Sequence, residues 1–593
     1  MTATRLPGAV RPRPLFNMVA HLHRDLARAE EVCAGRFHEL GRTLALGLDP
    51  DWLGADALPL DGEWQIAWSK FYFGNELAHA YCATGERRFL EAWERLVLSW
   101  IARVPVGAAA WDTSDVAARR IQNWVYAWDR FASAPGFRGL SDGVEEELLA
   151  SLRAQAVHIR DHLTPARNHR TLELYALFCV GLALPELEEG LLDFAIGELH
   201  RNLVEESGPD GVHIEQSTHY HCVVLRSWLG ARENARHYGI ELPAGYDEHL
   251  ARAVEFAMHC HRPDGTIPEL SDADGGSYLD LLALAADLLG REDFRHVATR
   301  GVAGTAPAVR NASFPDGGYF VQRSGWDAGA RFLMFDCGPL GAGGHGHYDL
   351  LSFEAVAGDR LLVVDPGRYT YSEIPEAEGD PANPRHAFKG TAAHNTVCVD
   401  GLDQTPYFRG RHKGPAAEGR LLSRLSAPGL DVLHAEAVSP NYEAVHRRRV
   451  AFVAGEYWVV EDRLRGERPH RYEARFHLAP EALGAVEVDG STVRAPGLAL
   501  VFHGGASPVV EDGWFSPEYG VKLPAPVVSV AVEAATDALF TTLVVPLEDG
   551  RDAPELRVQR CCHTTVVRAG TDMVAWSDGP RPAAWLTREA AGA

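Results

Sequence analysis

Two hydrophobic periods divide this chain. Up to about residue 305, apolar residues recur at intervals of three and four, as in LARAEEVCAGRFHEL, FLEAWERLVLSWIARV and VEEELLASLRAQAVHIRDHL. That spacing gathers them on one face of a helix. Past Arg310 the period shortens. In FPDGGYFVQRSGW, RRRVAFVAGEYWVVEDRL and ALFTTLVVPLED, β-branched and aromatic residues alternate with polar ones between Gly, Asp and Pro. Alternation of this kind belongs to strands. Short loops such as ATGER and ESGPDGVH join the helical stretches, which predicts antiparallel helical hairpins, as a bundle or a closed α/α toroid. Many short strands at close spacing predict antiparallel sheets packed as a sandwich. At 593 residues the chain exceeds one core. The expected order is a helical domain over 1–305 and a β-sandwich domain over 306–593, with room in the latter for a smaller C-terminal β-subdomain. GVAGTAPAVRNAS (301–313) is the expected linker.

The formal charge of −24 argues against non-specific nucleic-acid binding. It leaves an acidic substrate open, provided basic residues gather locally in the cleft. No run nears the roughly 18 apolar residues of a membrane span. The N-terminal stretch has no apolar core of a secretory signal. Nine scattered cysteines with no CxxC pair suit reduced thiols. These features predict a cytoplasmic protein, or a periplasmic or secreted one if a leader was trimmed. Oligomeric state is not specified, and a homodimer is kept as an expectation.

The densest chemistry lies in GPLGAGGHGHYDLLSFEAVAGDRLLVVD, residues 338–365, and in the later TAAHNTVCVDG. His345 and His347 stand i, i+2, so on a strand both would leave the same face. An alternating apolar run then ends on Asp365, and His394 opens another. Two histidines and an aspartate are a common zinc ligand set. The expectation is that His347, Asp365 and His394 hold one metal ion per chain and that His345 faces a substrate.

Two stretches of the helical half carry polar clusters at helix starts. Arg167, Asn168, His169 and Arg170 open an apolar helix with Glu173 one turn in. Glu215, His219, Tyr220 and His221 open another after a Gly-Pro-Asp-Gly turn. Helix N-termini offer donors and a positive dipole end to anions. Each residue also has a plain structural reading: Asn168 as an N-cap, Tyr220 as a core tyrosine, Glu173 and Glu215 as capping or ion-pair residues.

Taken together, RNHRTLELYALFCVGLALPE, DGVHIEQSTHYH, GGHGHYDLLSFEAVAGDRLLVVDPGRYTY and TAAHNTVCVDGLDQ resemble the heparinase II/III-like family of polysaccharide lyases, which includes relatives acting on alginate. WDTSDVAARRIQNWVYAW (111–128) also looks like its toroid. The resemblance covers roughly 60–405. It implies an incomplete N-terminal (α/α) toroid, a C-terminal antiparallel β-sandwich and an active site between them. It further implies that Asn168 and His169 engage a substrate carboxylate, that Tyr220 and His345 are catalytic, and that His347, Asp365 and His394 bind a structural zinc. Arg167, Arg170, Glu215, Arg368 and Tyr369, with Tyr371, are then candidate substrate contacts.

Such enzymes cut uronate-containing poly- or oligosaccharides by β-elimination, leaving a 4,5-unsaturated end. The C5 proton is a poor acid, so the neighbouring carboxylate must be neutralised. A base takes the proton and an acid protonates the departing O4. Tyr220 is assigned as acid, and as base too where both protons share a face, with His169 or His345 as the other base. Three readings compete. A uronyl C5-epimerase shares the proton abstraction. A glycoside hydrolase would pair carboxylates such as Glu173 and Glu215. A non-catalytic acidic-glycan-binding protein would leave Tyr220 and His345 idle.

Overall fold

The structure is a computed structural model. It describes residues 10–54, 62–107, 109, 111–376, 382–547, 552–577 and 582–588. Among these, the α-helices run from Leu26–Cys33 to Glu292–Ala298, with one short helix later at Pro384–Lys389. Apart from one early hairpin, Arg36–Glu39 with Arg42–Ala45, the strands begin at Ser313. Packing draws a different line from secondary structure. One compact unit comprises 1–206 and 223–250, the other 207–222 and 251–593. None of the described helices is long and apolar enough to cross a membrane.

In the first unit, long helices pack on the next helix and also on the second one along: Arg167–Ala183 lies against Leu191–Glu206, which follows it, and against Ser114–Ala132, two helices earlier. The core is aromatic: Trp52, Trp64, Trp68, Trp93, Trp100, Trp124 and Trp128 are all buried. Charge is admitted to this interior only with partners. Arg120 is buried against Asp112, with a 2.7 Å hydrogen bond, and against Gln155, as desolvation requires.

The second unit is layered. Five antiparallel strands between Ser313 and Val363 form one sheet. A ten-stranded antiparallel sheet, centred on the long strands Tyr457–His477 and Val521–Pro546, forms the next. Phe335, Phe353 and Leu362 of the first sheet share a core with Val450, Trp458 and Val460 of the second. The opposite face of the large sheet, with Ala451, Val453 and Val459, packs on Val567, Val574 and Trp576 of a four-stranded sheet over 556–588. Successive residues of one strand therefore enter different cores. The alternation with polar residues expected of RRRVAFVAGEYWVVEDRL therefore breaks down in VAFV and YWVV, where both faces of the strand are covered by apolar cores.

Candidate active site and metal centre

The second unit places Tyr220, His345, His347, Asp365 and His394 on four segments. Tyr220 lies in the first turn of the helix that begins at Thr218. The segment 338–352 leaves the strand Arg331–Asp336 and returns into Phe353–Ala357. Asp365 follows the strand Arg360–Val363, and His394 caps a 3-10 turn over Thr391–Ala393.

His345 and His347 sit in an irregular loop, not on a strand, so the same-face argument for their spacing does not apply. Glycines dictate the loop. A Cβ on Gly346, between the two histidines, would stand 1.9 Å from the Leu340 carbonyl oxygen. The rings nonetheless converge, through a residue the sequence did not single out. Asp272 receives His345 Nδ1 on one carboxylate oxygen and His347 Nε2 on the other, each at 2.9 Å. Arg385 pairs with the same carboxylate, with one contact at 2.7 Å. Burial would raise the Asp272 carboxyl, but Arg385 and the two histidines outweigh it and hold it well below the usual range.

Four residues after Arg385 on the same short helix, Lys389 donates to the carbonyls of Gly344, at 2.8 Å, and of Gly346. It thus clamps the backbone on either side of His345. Burial and the nearby Arg385 bring Lys389 down to about 7, against the pull of Asp272. The helix has its own sequence signal: Asn383 caps it and Pro384 follows, so Arg385 and Lys389 fall i, i+4 on one face.

The Tyr220 ring stacks on the His345 ring with centroids 4.0 Å apart and planes inclined 29°. The Tyr220 hydroxyl pairs with that of Tyr371 at 2.8 Å. Arg368 donates to Tyr371 at 2.7 Å and reaches Tyr220 at 3.4 Å, while its other edge is held by Asp274. Burial pushes Tyr220 up to about 12, with Arg368 and Tyr371 opposing. The phenol is therefore protonated throughout the neutral range. Some backbone strain lies near the site: Gln216, Ser271, Leu351 and Tyr369 take positive φ, a conformation costly to side-chain-bearing residues. Glu215 is buried, with one oxygen 3.7 Å from His345 Nε2 and the other 3.7 Å from His213 Nδ1. Tyr369 packs its ring on Phe388 and gives its hydroxyl to Glu376.

His347, Asp365 and His394 are buried, and one potential ligand atom of each lies within 4.8 Å of the others. His394 Nδ1 is tied to Asp365 at 2.9 Å. His347 Nδ1 and His394 Nε2 have no hydrogen-bond partner among the described residues. Two orphaned imidazole nitrogens beside a carboxylate fit a metal ion, since buried polar atoms otherwise find partners. The expected triad thus comes together as a group that could hold a metal ion.

In the first unit, Arg167 opens the helix Arg167–Ala183 at φ 84° and gives its N–H to Glu206 at 2.7 Å. The N-cap is Ala166, so Asn168 lies inside the first turn and the capping reading for it fails. Asn168 is buried, and His169 Nδ1 is 3.5 Å from Asp115. Arg170 is paired with Glu198 at 2.6 Å. Glu173 is fully buried and its carboxylate is taken up by Ser114 and Thr164. A carboxylate so enclosed does not suit the acid or base of a hydrolase.

The comparisons agree with this architecture. The family described as "Heparinase II/III N-terminus" matches residues 30–285, and "Heparinase II/III-like, C-terminal" matches 306–577. The chain belongs to the heparinase II/III-like family. A heparin-sulfate lyase of Bacteroides stercoris is 24% identical over 551 residues, covering 86% of this chain and 79% of that one. A heparin-sulfate lyase of Pedobacter heparinus is 24% identical over 578 residues, covering 93% and 84%. The solved structure "Crystal Structure of Heparinase III" aligns with a TM-score of 0.81 at 18% identity, over 99% of this chain and 94% of that one. The fold is thus the toroid-plus-sandwich class that the family resemblance implies, where the change of period near Arg310 left bundle and toroid open.

Proposed function

We propose that the protein is a polysaccharide lyase that cleaves uronate-containing glycans by β-elimination. The observation that carries this is the Tyr220–His345 stack, with His345 oriented by Asp272. A His345 ring that donates Nδ1–H to Asp272 presents Nε2 as a base. Tyr220, kept as a neutral phenol, is matched to the role of acid. In the proposed step His345 Nε2 takes the C5 proton. The electrons of that bond form the C4–C5 double bond, the C4–O4 bond breaks, and Tyr220 protonates O4. His345 is left cationic and Tyr220 anionic, and both return to their starting states by proton exchange with water once the product has left.

Asn168 and His169 are assigned to the substrate carboxylate on the family resemblance, and Arg368 to holding the two tyrosine hydroxyls. The relatives named heparin-sulfate lyase favour a glycosaminoglycan of the heparan type as substrate. For the metal we propose zinc, held by His347, Asp365 and His394. When bound, it would fix the loop carrying His345 rather than act on the sugar.

The test is to incubate the chain with heparan-type, alginate and other uronate polymers. The ultraviolet absorbance of the unsaturated product is followed. A rise that vanishes in Tyr220→Phe supports the lyase. Solvent deuterium entering C5 without absorbance would replace it by an epimerase, and new reducing ends without absorbance by a hydrolase.

A further inference from the structure

The loop that carries Arg368 and Tyr371 to Tyr220 is fastened to a hairpin, and the hairpin carries groups the reaction does not use. The strands Val509–Glu518 and Val521–Pro546 turn over beside residues 366–371. Ser516 N–H donates to the Pro366 carbonyl at 2.8 Å and Gly520 N–H to that of Tyr369 at 2.7 Å. Tyr371 N–H donates to the Tyr519 hydroxyl at 3.2 Å, and Arg368 stands 5.2 Å from the Tyr519 ring. The tip of the hairpin is therefore fastened to the same loop that carries Arg368 and Tyr371.

Three side chains converge there. Trp514 is 44% exposed, so part of its indole is open to solvent. Lys522 Nζ lies 4.4 Å from the Trp514 ring centroid and 4.9 Å from that of Tyr369, between the two rings. It also pairs with Glu376 at 3.2 Å, and the Glu376 carboxylate accepts the Tyr369 hydroxyl. The Glu376 side chain is 43% exposed, so this pair is screened and contributes little. An acid at that position has a cation and a hydroxyl donor, and it is easily exchanged for another.

We propose that Trp514, Lys522 and Tyr369 form an outlying subsite for an acidic sugar unit. The indole takes the C–H face of the ring, and Lys522 and the Tyr369 hydroxyl take its carboxylate or sulfate. Glu376 occupies the anion position when no ligand is bound. An aromatic face with a polar handle at its edge suits a ligand that is apolar on one side and charged at its rim. The proposal deepens the lyase reading and takes its ligand class from it.

The test is titration calorimetry of the full chain with a sulfated heparan-type oligosaccharide series and a carboxylate-only oligouronate series of increasing length. Trp514→Ala and Lys522→Ala, both near the surface, should weaken binding of the longer members about tenfold and leave the shortest unaffected. Glu376→Gln should tighten it. Loss in Lys522→Ala confined to one series identifies the acid as sulfate or carboxylate. If the wild type binds neither series, or if both alanine variants bind as the wild type does, the subsite is overturned. Weaker binding in the variants, with no unsaturated product from any substrate, would overturn the lyase reading and leave the subsite standing.

Discussion

The ring of Tyr220 lies 4.0 Å from the ring of His345, centroid to centroid. The two are 125 positions apart in sequence by their numbers (345 − 220), yet each has its own ion pair beside it: the partly buried Arg368–Asp274 beside Tyr220 and the buried Arg385–Asp272 beside His345. Tyr220→Phe removes only the hydroxyl and keeps the stack. Elimination should fall about 10²- to 10⁴-fold in kcat, with thermal stability close to wild type. A variant retaining more than a tenth of wild-type kcat would remove Tyr220 from the reaction.

Asp272→Asn should act through the two histidines. It takes a negative charge from between His345, His347 and Arg385, and so loosens both the base and a metal ligand. Metal affinity should drop about 10- to 100-fold, and kcat should drop at saturating metal as well. Metal content by elemental analysis, read beside kcat, separates the two effects. Loss of kcat that excess metal fully restores would confine Asp272 to the metal site.

Removing the metal should destabilise the second unit. Protein isolated without chelator is expected to contain about one zinc per chain. Dialysis against chelator should lower the melting temperature, and zinc should restore it in a concentration-dependent way. His394→Ala should abolish that dependence. Metal-free protein with unchanged melting and activity would show the triad to be an ordinary buried histidine pair.

Glu173 supplies a pH dependence in the first unit. Burial raises its carboxyl from 4.5 to about 7, against the hydrogen bonds from Ser114 and Thr164. An acid with a raised folded-state value stabilises fully below its unfolded value and loses that contribution as the pH climbs through 7. The stability of wild type relative to Glu173→Gln should therefore fall by about 3 kcal/mol between pH 4.5 and 8. Denaturant midpoints at a series of pH values measure this difference, and a flat difference would refute it.

The sequence made some of this site legible and hid the rest for physical reasons. His347, Asp365 and His394 could be found because a glycine-rich loop, a strand end and a strand start each announce themselves locally. The strand geometry invoked for His345 and His347 was wrong, because glycines at 343, 344 and 346 free the loop from the pleat. Asp272 was invisible, since its partners lie 73, 75 and 113 positions away and its own SDADGG context reads as a turn. Arg385 and Lys389 were within reach, as an i, i+4 basic pair on a helix marked by Asn383-Pro384. The doubly buried large sheet was missed: VAFV was read as part of an alternating strand, and its apolar residues on both faces are explained by the second covering sheet.

That sheet also sets an order of events. The strand Tyr457–His477 pairs with Val445–Val453 next door and with Val521–Pro546 far along the chain. Its end at His477 donates its N–H to the Asn395 side chain, and Asn395 in turn bonds to the carbonyls of Phe353 and Val364. His394 is thus anchored through contacts that exist only once distant segments have met. Non-local pairing is slow, so the chain should gain most of its helical signal well before it gains the ability to retain a metal.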